Sequence, residues 1–474
     1  MTIEQLYQIY LQHPSIQTDT RKLKEGDLYF ALKGPNFNGN FFAPQAIEQG
    51  AAYAIIDEAP SAGSVSPENS ASPAGLTDRL ILVDDVLTTL QQLALHHRRQ
   101  FNIPFIAITG SNGKTTTKEL IHTVLSAAFT TYTTQGNLNN HIGIPLTLLS
   151  VKKDAQFAVI EMGANHQKEI EGYCTYTLPT HGVITNAGKA HLEGFGGPEG
   201  VKKGKGELYD FLRTHKGTAF VMWDYDYLRE MSTDIPHIIT YGTRDADITG
   251  IAIRAASSFL NVQITGGSTI GTIHTQLVGD YNLPNVLVAV AIGKHFGVSD
   301  EQIRQALEQY TPSNSRSQLI ERDGNHIILD AYNANPSSMK AAIENFASIP
   351  SGAIPSGTIP SGAILSGAIP SANFSQPANS PASPGSSNKL LILGAMAELG
   401  PASLDEHRQI VNLIGQFPWL DVVLVGGDFL RLQHPYHSFE NARQAGEWLR
   451  SKEFKDIYIL VKGSRSMKME ETLL

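Results

Sequence analysis

Cysteine is almost missing from this 474-residue chain, and Cys174 is the single example. A disulfide framework is therefore excluded, and a reducing compartment is expected. Long apolar runs are also missing, since no stretch approaches the ~18 residues of a membrane span. The first segment, "MTIEQLYQIYLQHP", is typical of a short amphipathic helix and lacks the basic start of a signal peptide. We therefore expect a cytoplasmic protein without membrane insertion.

The chain also lacks an excess of basic residues. The chain has 36 Lys and Arg against 45 Asp and Glu, a formal net charge of -9. General nucleic-acid binding requires a basic face, so no nucleic-acid partner is expected. A polyanionic ligand would need a locally basic pocket. The 41% of hydrophobic residues is enough for ordinary cores, and the length suggests about three domains.

The pattern of strands and helices divides the chain into three segments. Residues 1–100 mix short strands with helices. Residues 101–311 alternate strand and helix, which predicts a parallel sheet covered on both faces. Within them, the Gly-punctuated, period-two stretch from about 248 to 279 predicts an antiparallel meander at the edge of the sheet. Residues 312–474 begin the alternation again, which predicts a second, smaller α/β unit.

Two low-complexity segments interrupt this pattern. The first, "PSAGSVSPENSASPAG", spans about 59–76. The second repeats IPSGA-like units from Ile349 to Asn373 and continues as a Ser/Pro/Asn tail to Asn388. Such units carry few side chains to bury, so a mobile loop insertion is predicted. A small binding element is the alternative.

The segment "AITGSNGKTTTKEL", residues 107–120, follows an apolar strand. The usual phosphate loop is G-x-x-x-x-G-K-[ST], but Ile108 occupies its first position and Gly110 lies three residues before Gly113. Two glycines still allow backbone N–H groups to converge on phosphate at the start of a helix. Lys114 would meet the β- and γ-phosphates, and Thr115 would hold Mg²⁺. The predicted ATP-binding loop comprises Thr109, Gly110, Ser111, Asn112, Gly113, Lys114, Thr115 and Thr116.

Glu161 and His191 follow two further strands. The carboxyl ends of parallel strands bind ligands, so both residues are expected at the edge that carries the phosphate loop. Glu161 would ligate Mg²⁺, whereas His191 would be an unusual ligand because Mg²⁺ prefers oxygen. Either residue alone is more typical of a solvated loop, but the two together with the phosphate loop favour a functional site.

Two asparagine-rich stretches are further candidates. "GNLNNHIGIP", residues 136–145, fits either a substrate loop or a plain structured turn. Asn282 and Asn285 lie three residues apart at a helix start, where paired amides could contact an adenine edge. A helix cap with a solvated asparagine is the alternative.

Together these motifs resemble the Mur ligases of peptidoglycan synthesis. The matching segments occur in the family's order: "TGSNGKTTTKE", "GNLNNHIGIPLTLL", "EMGAN", "ITNAGKAHLEGFG", "KGKGELYDFL", "GDYNLPNVLVAVA" and "DAYNANPSSMKAAIENF". Within the family, "AHLEGFG", "DAYNANPSSM" and "VKGSRSMKME" are most similar to the members that add D-alanyl-D-alanine. The resemblance covers nearly the whole chain outside the two low-complexity segments.

The resemblance implies an α/β fold of three domains. These are an N-terminal α/β domain for the UDP end of the substrate, a central P-loop ATPase and a Rossmann-like C-terminal domain. It also implies an ATP-dependent ligase that joins D-alanyl-D-alanine to UDP-N-acetylmuramoyl-tripeptide. The γ-phosphate would pass to a substrate carboxylate, and the dipeptide amine would displace phosphate from the acyl phosphate. ATP, two Mg²⁺ ions and a monomer are expected.

The resemblance assigns roles to single positions. Thr115, Glu161 and His191 match metal positions, and Lys205 matches a lysine that the family carbamylates. The catalytic set is Lys114, His191 and Lys205. Asn282 and Asn285 match adenine contacts, Arg316 an arginine near the phosphates, and Asp330 a ribose-binding acid. The substrate-binding candidates are Thr20, Arg21, Lys33, Gly34, Asn137, Asn139, Asn140, Lys462, Ser464 and Arg465.

Lys205 lies in a lysine-rich stretch with Lys202 and Lys203. Like charges favour a neutral amine, which is the form that reacts with CO₂, so the two neighbours are expected to assist carbamylation. From spacing alone, three lysines on a helix are more typical of a solvated face.

Two departures from the family pattern and three rival functions remain. "FNGNFF" replaces the family's Asp-Gly-His after Gly34, which affects the UDP pocket, and Ala395 stands where an acid is common. A Mur-type ligase that adds a single amino acid is the close alternative. A P-loop nucleotide switch, or a relic that binds without catalysis, belongs to another class. The third residue of the substrate peptide, lysine or diaminopimelate, is left open.

Overall fold

The computed structural model describes residues 1–59, 77–253, 259–312, 318–349 and 387–474. Arg316 and most of both low-complexity segments lie outside these ranges, so their predicted roles stay predictions. Contacts group the described chain into two compact units. One comprises Met1–Ile251, Gln263–Ile273 and Leu283–Tyr310, and the other comprises Ala252–Val262, His274–Asn282 and Thr311–Leu474. The predicted boundaries of three domains are not tested by this division.

A four-stranded parallel sheet of order β1-β2-β5-β6 occupies the first hundred residues. Its core forms because small and apolar side chains of β2 and β5 alternate towards α2, with Tyr29, Ala46 and Ile56 buried. A short antiparallel pair, β3 and β4, lies outside the sheet. The elements are α1 Ile3–Gln12, β1 Ile16–Gln17, β2 Leu28–Phe30, β3 Lys33–Gly34, β4 Phe37–Asn38, α2 Ala43–Glu48, β5 Tyr53–Ile56, β6 Leu80–Leu82 and α3 Val86–Arg98.

A nine-stranded sheet follows, in the order β15-β14-β13-β12-β11-β10-β7-β9-β8. Its central strands β7 and β9 are parallel neighbours, and every residue in both is buried, as expected for strands covered on two faces. The elements are β7 Phe105–Thr109, α4 Lys114–Ser126, β8 Thr131–Thr133, α5 Gly143–Ser150, β9 Phe157–Glu161, α6 Glu169–Thr177, β10 His181–Ile184, α7 Leu192–Phe195, α8 Pro198–His215, β11 Thr218–Met222, α9 Asp226–Met231, β12 His237–Gly242, β13 Ile248–Ile253, β14 Phe259–Gly266, β15 Thr272–Val278, α10 Leu283–His295 and α11 Asp300–Gln309.

The last segment forms a six-stranded sheet of order β16-β17-β21-β18-β19-β20. Only the edge pair β16–β17 is antiparallel, and the other neighbours are parallel. Its core is the run of Ile, Leu and Val along β17, β18, β19 and β21. The elements are β16 Gln318–Arg322, β17 Asn325–Asp330, α12 Pro336–Ser348, β18 Lys389–Gly394, α13 Ser403–Ile414, β19 Asp421–Val425, β20 His437–Phe439, α14 Ala442–Ser451 and β21 Tyr458–Lys462.

The predicted α/β class with a parallel P-loop sheet is confirmed, and β14 and β15 lie at the edge of that sheet. The inner strand of the predicted meander, β13, joins the rest of the sheet by pairing in parallel with β12. The antiparallel pairing within the meander stays a prediction. Among the described residues, no helix combines the length and apolar composition needed to cross a membrane.

Candidate active site

The phosphate loop turns from β7 into α4 through two glycines with positive φ. Gly110 has φ 144° and Gly113 has φ 79°. A Cβ on Gly110 would lie 2.0 Å from Thr185 Oγ1, and one on Gly113 would lie 2.8 Å from Asn285 Oδ1. Both positions therefore require glycine for backbone shape and for space. The result is a helix N-terminus without a side-chain cap, the arrangement that binds phosphate.

The loop is held by residues that follow β10. Ser111 N donates to Asn186 O at 2.9 Å, and Ser111 Oγ donates to Gly188 O at 2.9 Å. Asn186 Oδ1 accepts from Asn112 N at 3.0 Å, and Thr185 Oγ1 donates to Asn112 O at 2.6 Å. Sequence reasoning missed this support, although "ITNAGKAH" was already singled out for His191. The carbonyl group of Asn112 is thus turned towards the segment that follows β10.

Lys114 lies over its own loop. Its Nζ donates to Gly110 O at 2.7 Å and to Ser111 O at 3.2 Å. The ammonium group is therefore within reach of any phosphate seated on the loop. Of its loop neighbours, Thr109 Oγ1 donates to Met162 O at 2.9 Å, while Thr116 is half-buried on the first turn of α4.

Thr115, Glu161 and Asn139 meet at the carboxyl end of β9. Glu161 Oε1 accepts from Thr115 Oγ1 at 3.1 Å and from Asn139 Nδ2 at 2.8 Å. Glu161 is 1% exposed, and its Oε2 is buried without a hydrogen-bond partner. An unsatisfied buried carboxylate oxygen is costly unless a cation or donor meets it. A hard cation that prefers oxygen, such as Mg²⁺, fits this atom and the neighbouring hydroxyl.

The asparagine turn is anchored at Asn139 and Asn140. Asn139 faces Glu161, while Asn140 Oδ1 accepts from Gly143 N at 2.9 Å at the start of α5. Asn137 accepts from Asn139 N through its backbone oxygen at 2.8 Å. The side chains of Asn139 and Asn140 therefore make structural contacts. The contact of all three asparagines with substrate stays a prediction.

His191 precedes α7 in a left-handed conformation, with φ 52°. A non-glycine residue in this region is uncommon, and such positions occur preferentially at functional sites. The described residues contain no group of three or more His, Cys, Asp and Glu side chains able to hold a metal. A metal bound here would therefore also need the Thr115 hydroxyl and oxygens from ligands.

Lys205 is buried inside α8 rather than solvated. Its Nζ donates to Ala164 O at 2.9 Å and lies 4.8 Å from the ring centre of Phe195. Burial, and then the positive charge of Lys114, hold the pKa of Lys205 well below its usual range, and Glu169 and Glu207 act in the opposite direction. The sequence interpretation attributed the neutral amine to Lys202 and Lys203. The lowered pKa of Lys205 instead results from burial and from the charge of Lys114. Lys202 is half-buried and pairs with Glu199 at 2.8 Å, whereas Lys203 is exposed.

The two adenine candidates are both buried. Asn285 Oδ1 accepts from Thr117 Oγ1 at 3.0 Å, which places it beside the start of α4. Asn282 Nδ2 donates to Val278 O at 2.9 Å. Asn282 is therefore tied to the end of β15. The alternative of a solvated asparagine is wrong because both side chains are buried, and the adenine contact stays a prediction.

The N-terminal candidates surround the β3–β4 hairpin. Lys33 pairs with Asp57 at 2.9 Å and with Glu58 at 2.7 Å, and Gly34 is exposed beside it. The "FNGNFF" departure supplies the remaining contacts, because Asn40 Nδ2 donates to Asp57 Oδ1 at 2.8 Å and Asn38 Nδ2 donates to Glu58 Oε2 at 2.8 Å. The two asparagines thus fasten the hairpin to the end of β5, a role that sequence reasoning missed.

Thr20 and Arg21 form a separate turn. Both lie in the short 3-10 helix Thr20–Lys22, where the exposed Arg21 guanidinium pairs with Asp19 at 2.8 Å. The UDP roles of Thr20, Arg21, Lys33 and Gly34 stay predictions.

In the second unit, Asp330 and Lys462 are direct partners. They end two parallel neighbouring strands in register, with Lys462 Nζ 2.6 Å from Asp330 Oδ2. The buried lysine also donates to Asn333 O at 3.0 Å. Sequence reasoning gave these residues to different ligands, ribose and dipeptide, whereas here each neutralises the other.

The other two dipeptide candidates follow β21. Ser464 Oγ donates to Ala395 O at 2.6 Å, at the position where the family's acid is absent. Arg465 pairs with Glu470 at 2.8 Å and remains exposed.

Comparison with known proteins gives a consistent result. Residues 14–98 match the Mur ligase family catalytic domain, and residues 108–293 match the Mur ligase middle domain. A Bacillus subtilis UDP-N-acetylmuramoyl-tripeptide--D-alanyl-D-alanine ligase is 32% identical over 96% of this chain and 91% of its own. The Escherichia coli protein of the same description is 31% identical over 97% and 92%.

Solved structures agree in fold. The structure of MurF from Acinetobacter baumannii has a TM-score of 0.80 at 28% identity and covers 100% of this chain and 97% of its own. The Thermotoga maritima MurF ligase in complex with ADP has a TM-score of 0.79 at 22% identity, covers 98% and 97%, and supports the fold alone. The family predicted from the ordered motifs is confirmed, and this chain belongs to the Mur ligase family.

Proposed function

We propose that this protein uses ATP to join D-alanyl-D-alanine to UDP-N-acetylmuramoyl-tripeptide, releasing ADP and phosphate. The observation that carries the proposal is the Thr115–Glu161 contact beside the phosphate loop, with one buried carboxylate oxygen left for a cation. The named relatives, about 30% identical over nearly the full chain, supply the identity of the two substrates.

ATP would lie with its phosphates on the loop from Gly110 to Thr115. The backbone N–H groups at the start of α4 would bind them, and the Lys114 ammonium would exchange its carbonyl contacts for phosphate oxygens. A preorganised charge of this kind stabilises the negative charge that develops during phosphoryl transfer. The Thermotoga maritima MurF ligase, which shares this fold, was solved in complex with ADP.

Thr115 and Glu161 would hold a Mg²⁺ ion, and His191 with a carbamylated Lys205 would hold a second. When bound, the ions neutralise phosphate charge and orient its oxygens. Glu161 suits this task because Asn139 and Thr115 fix its rotamer from one side. The other carboxylate oxygen is thereby left for the ligand.

The proposed reaction has two steps, formation of an acyl phosphate and its aminolysis. A carboxylate oxygen of the tripeptide attacks the γ-phosphorus, the bond to the β-phosphate oxygen breaks, and ADP leaves. The neutral amine of D-alanyl-D-alanine then attacks the acyl carbon. The tetrahedral intermediate collapses with loss of phosphate, and the nitrogen releases one proton. The protein contributes mainly position and charge, because phosphoryl transfer needs little covalent help.

Carbamylation of Lys205 is supported by its surroundings. The reaction joins the lysine nitrogen to CO₂ and releases one proton, so it requires a neutral amine. Burial and the charge of Lys114 favour that neutral form by lowering the pKa of Lys205. Once formed, the carbamate anion would be attracted to Lys114 and would offer oxygen atoms to a hard cation.

The decisive experiment measures ADP release and product mass with each nucleotide-peptide and each amine. We expect ADP release to require both UDP-N-acetylmuramoyl-tripeptide and D-alanyl-D-alanine, with the pentapeptide as product. Parallel reactions contain single D-alanine, glutamate or no amine. Ligation of a single amino acid would support another Mur-type specificity. ADP release unaffected by the amine, without any ligated product, would instead support a nucleotide switch.

A further inference from the structure

Lys118 is a buried lysine on α4 that the proposed chemistry does not use. It lies one helical turn after Lys114, and its side chain is 2% exposed. Its Nζ donates to Thr134 O at 2.7 Å and pairs with Glu119 at 2.7 Å. A buried ammonium group is costly compared with an apolar side chain of the same length. Glu119, which is partly exposed, offsets part of this cost. The hydrogen bond from the buried ammonium group to the Thr134 carbonyl still needs an explanation.

Thr134 is the point at which strand β8 leaves the sheet. The ladder between β8 and β9 ends at Thr133 and Val159, after which Thr134 N donates to Val159 O at 3.1 Å. In a continuing parallel ladder, Thr134 O would accept the next N–H of β9, that of Glu161. Glu161 N instead donates to the hydroxyl Oγ1 of Thr134 at 3.0 Å. The carbonyl of this fully buried residue thereby turns to Lys118.

The bend at Thr134 leads directly into the asparagine turn. Five residues later, Asn139 contacts the segment just after β9, since Gly163 N donates to Asn139 O at 2.7 Å. The side chain of Asn139 donates to Glu161 Oε1 at 2.8 Å. The turn is thus fixed at both ends, by Lys118 through Thr134 and by Gly163 through Asn139. Both ends meet at Glu161, through its backbone and its carboxylate.

We propose that Lys118 is a positioning residue that couples the phosphate-loop helix to the asparagine turn and thereby aims Asn139 at Glu161. The inference rests on the proposed function of the same site and adds the residue that sets its geometry. Without the ammonium group, Thr134 O would compete for Glu161 N, and the turn would start from a different bend. A misplacement of about 1 Å at such a site is enough to lower the rate about a hundredfold.

The test is a double-mutant cycle of Lys118→Met and Asn139→Ala in the full chain. Each single change should lower kcat about tenfold to a hundredfold. The kcat of the double variant should be no more than about twofold below that of the less active single variant. Losses that multiply, or a Lys118→Met enzyme with normal kcat, would overturn the proposal. Lys389→Met is the matched control, because Lys389 is also buried and donates to a backbone carbonyl, Ala347 O. Lys389→Met and Asn139→Ala should act independently, so any fold-losses of kcat in these two single variants should multiply in their double variant.

A second readout separates positioning from general stability and from the failure of the proposed ligase activity. The rise in melting temperature caused by Mg²⁺ in the presence of ADP should shrink in Lys118→Met and Asn139→Ala, and no further in the double variant. This measurement needs no ligated product, so it decides the inference even if the wild type makes none. Additive reductions would count against it. If Lys118→Met does not fold, Lys118→Gln takes its place. Because Gln keeps a hydrogen-bond donor, this variant should show smaller losses of kcat and of the Mg²⁺-dependent rise in melting temperature.

Discussion

Lys389 Nζ donates a 2.6 Å hydrogen bond to Ala347 O, which ties the start of β18 to the end of α12. The chain between these two elements carries the IPSGA repeat, and residues 350–386 lie outside the described residues. The structural elements on either side of the repeat are therefore already held together by described residues.

We expect excision of residues 351–386, with a short Gly-Ser linker in their place, to leave melting temperature and kcat nearly unchanged. The closure entropy of a loop changes only slowly with its length. Differential scanning calorimetry and the ADP-release assay provide the measurements. A fall of several degrees, or loss of turnover, would show that the repeat contributes to structure or function.

Lys114→Ala should lower kcat by about 10² to 10³ with a smaller effect on ADP affinity. The ammonium group over the loop mainly stabilises negative charge that develops during phosphoryl transfer. Its removal should therefore lower kcat more than it weakens nucleotide binding in the ground state. Steady-state kinetics and ADP titration calorimetry measure the two effects separately. An equal loss in both, or turnover at the wild-type rate, would contradict this role.

Lys205→Ala should be nearly inactive, and short carboxylates such as formate or acetate should restore part of the turnover. They would supply the oxygens that the carbamate is proposed to provide. Carbon-13 NMR with labelled bicarbonate should show a carbamate signal in the wild type and none in the variant. Lys203→Ala is the matched control, because Lys203 is exposed on the same helix. Full activity of Lys205→Ala, or an unmodified lysine in the active enzyme, would refute the modification.

Glu161→Gln should fold normally but lose the Mg²⁺-dependent stabilisation of the ADP complex. The buried Oε2 has no hydrogen-bond partner. Removing the negative charge should therefore relieve the free-energy cost of burying the carboxylate, and it should also remove the attraction of the carboxylate for Mg²⁺. Thermal melts with ADP alone and with ADP plus Mg²⁺ provide the comparison. A lower melting temperature without Mg²⁺, together with an unchanged response to Mg²⁺, would indicate a purely structural glutamate.

The sequence predicted the parts of this molecule that follow from local pattern. Apolar strands, helix periodicity and the glycine spacing at Gly110 and Gly113 were enough to place the phosphate loop at the edge of a parallel sheet. Glu161 was placed correctly at a strand end, because strand boundaries and topology together fix that edge.

Contacts between distant residues were not predictable in the same way. The Asp330–Lys462 pair is separated by 132 positions, and its existence depends on the register of β17 with β21. Lys205 looked solvated because its neighbours are lysines. It is buried because Phe195 packs against the adjacent Gly204, where a Cβ would lie 2.4 Å from the ring. Neither fact is encoded in the spacing of residues along one element.

The last prediction concerns His181 at the start of β10. Its ring lies 5.6 Å from that of His295 and 5.0 Å from that of Phe296. Burial, and then the charge of His295, lower the pKa of His181 from 6.5 to about 4. The folded protein therefore keeps this imidazole neutral in a range where the unfolded chain protonates it. The unfolded state binds more protons between about pH 6.5 and 4, so the free energy of unfolding should fall as pH falls through that window.

The shift corresponds to at most about 3 kcal/mol, and partial solvent access reduces it. His181→Gln should flatten the pH dependence, measured by urea unfolding between pH 7.5 and 4.5. Above pH 7 the variant is expected to be less stable, because Thr180 Oγ1 loses its 2.8 Å contact with the imidazole Nδ1. The difference between variant and wild type should therefore narrow steadily towards pH 4.5. Parallel curves across the whole range would show that His181 does not set the acid sensitivity of this fold. His215→Gln is the control, because that histidine is exposed and should leave the curve unchanged.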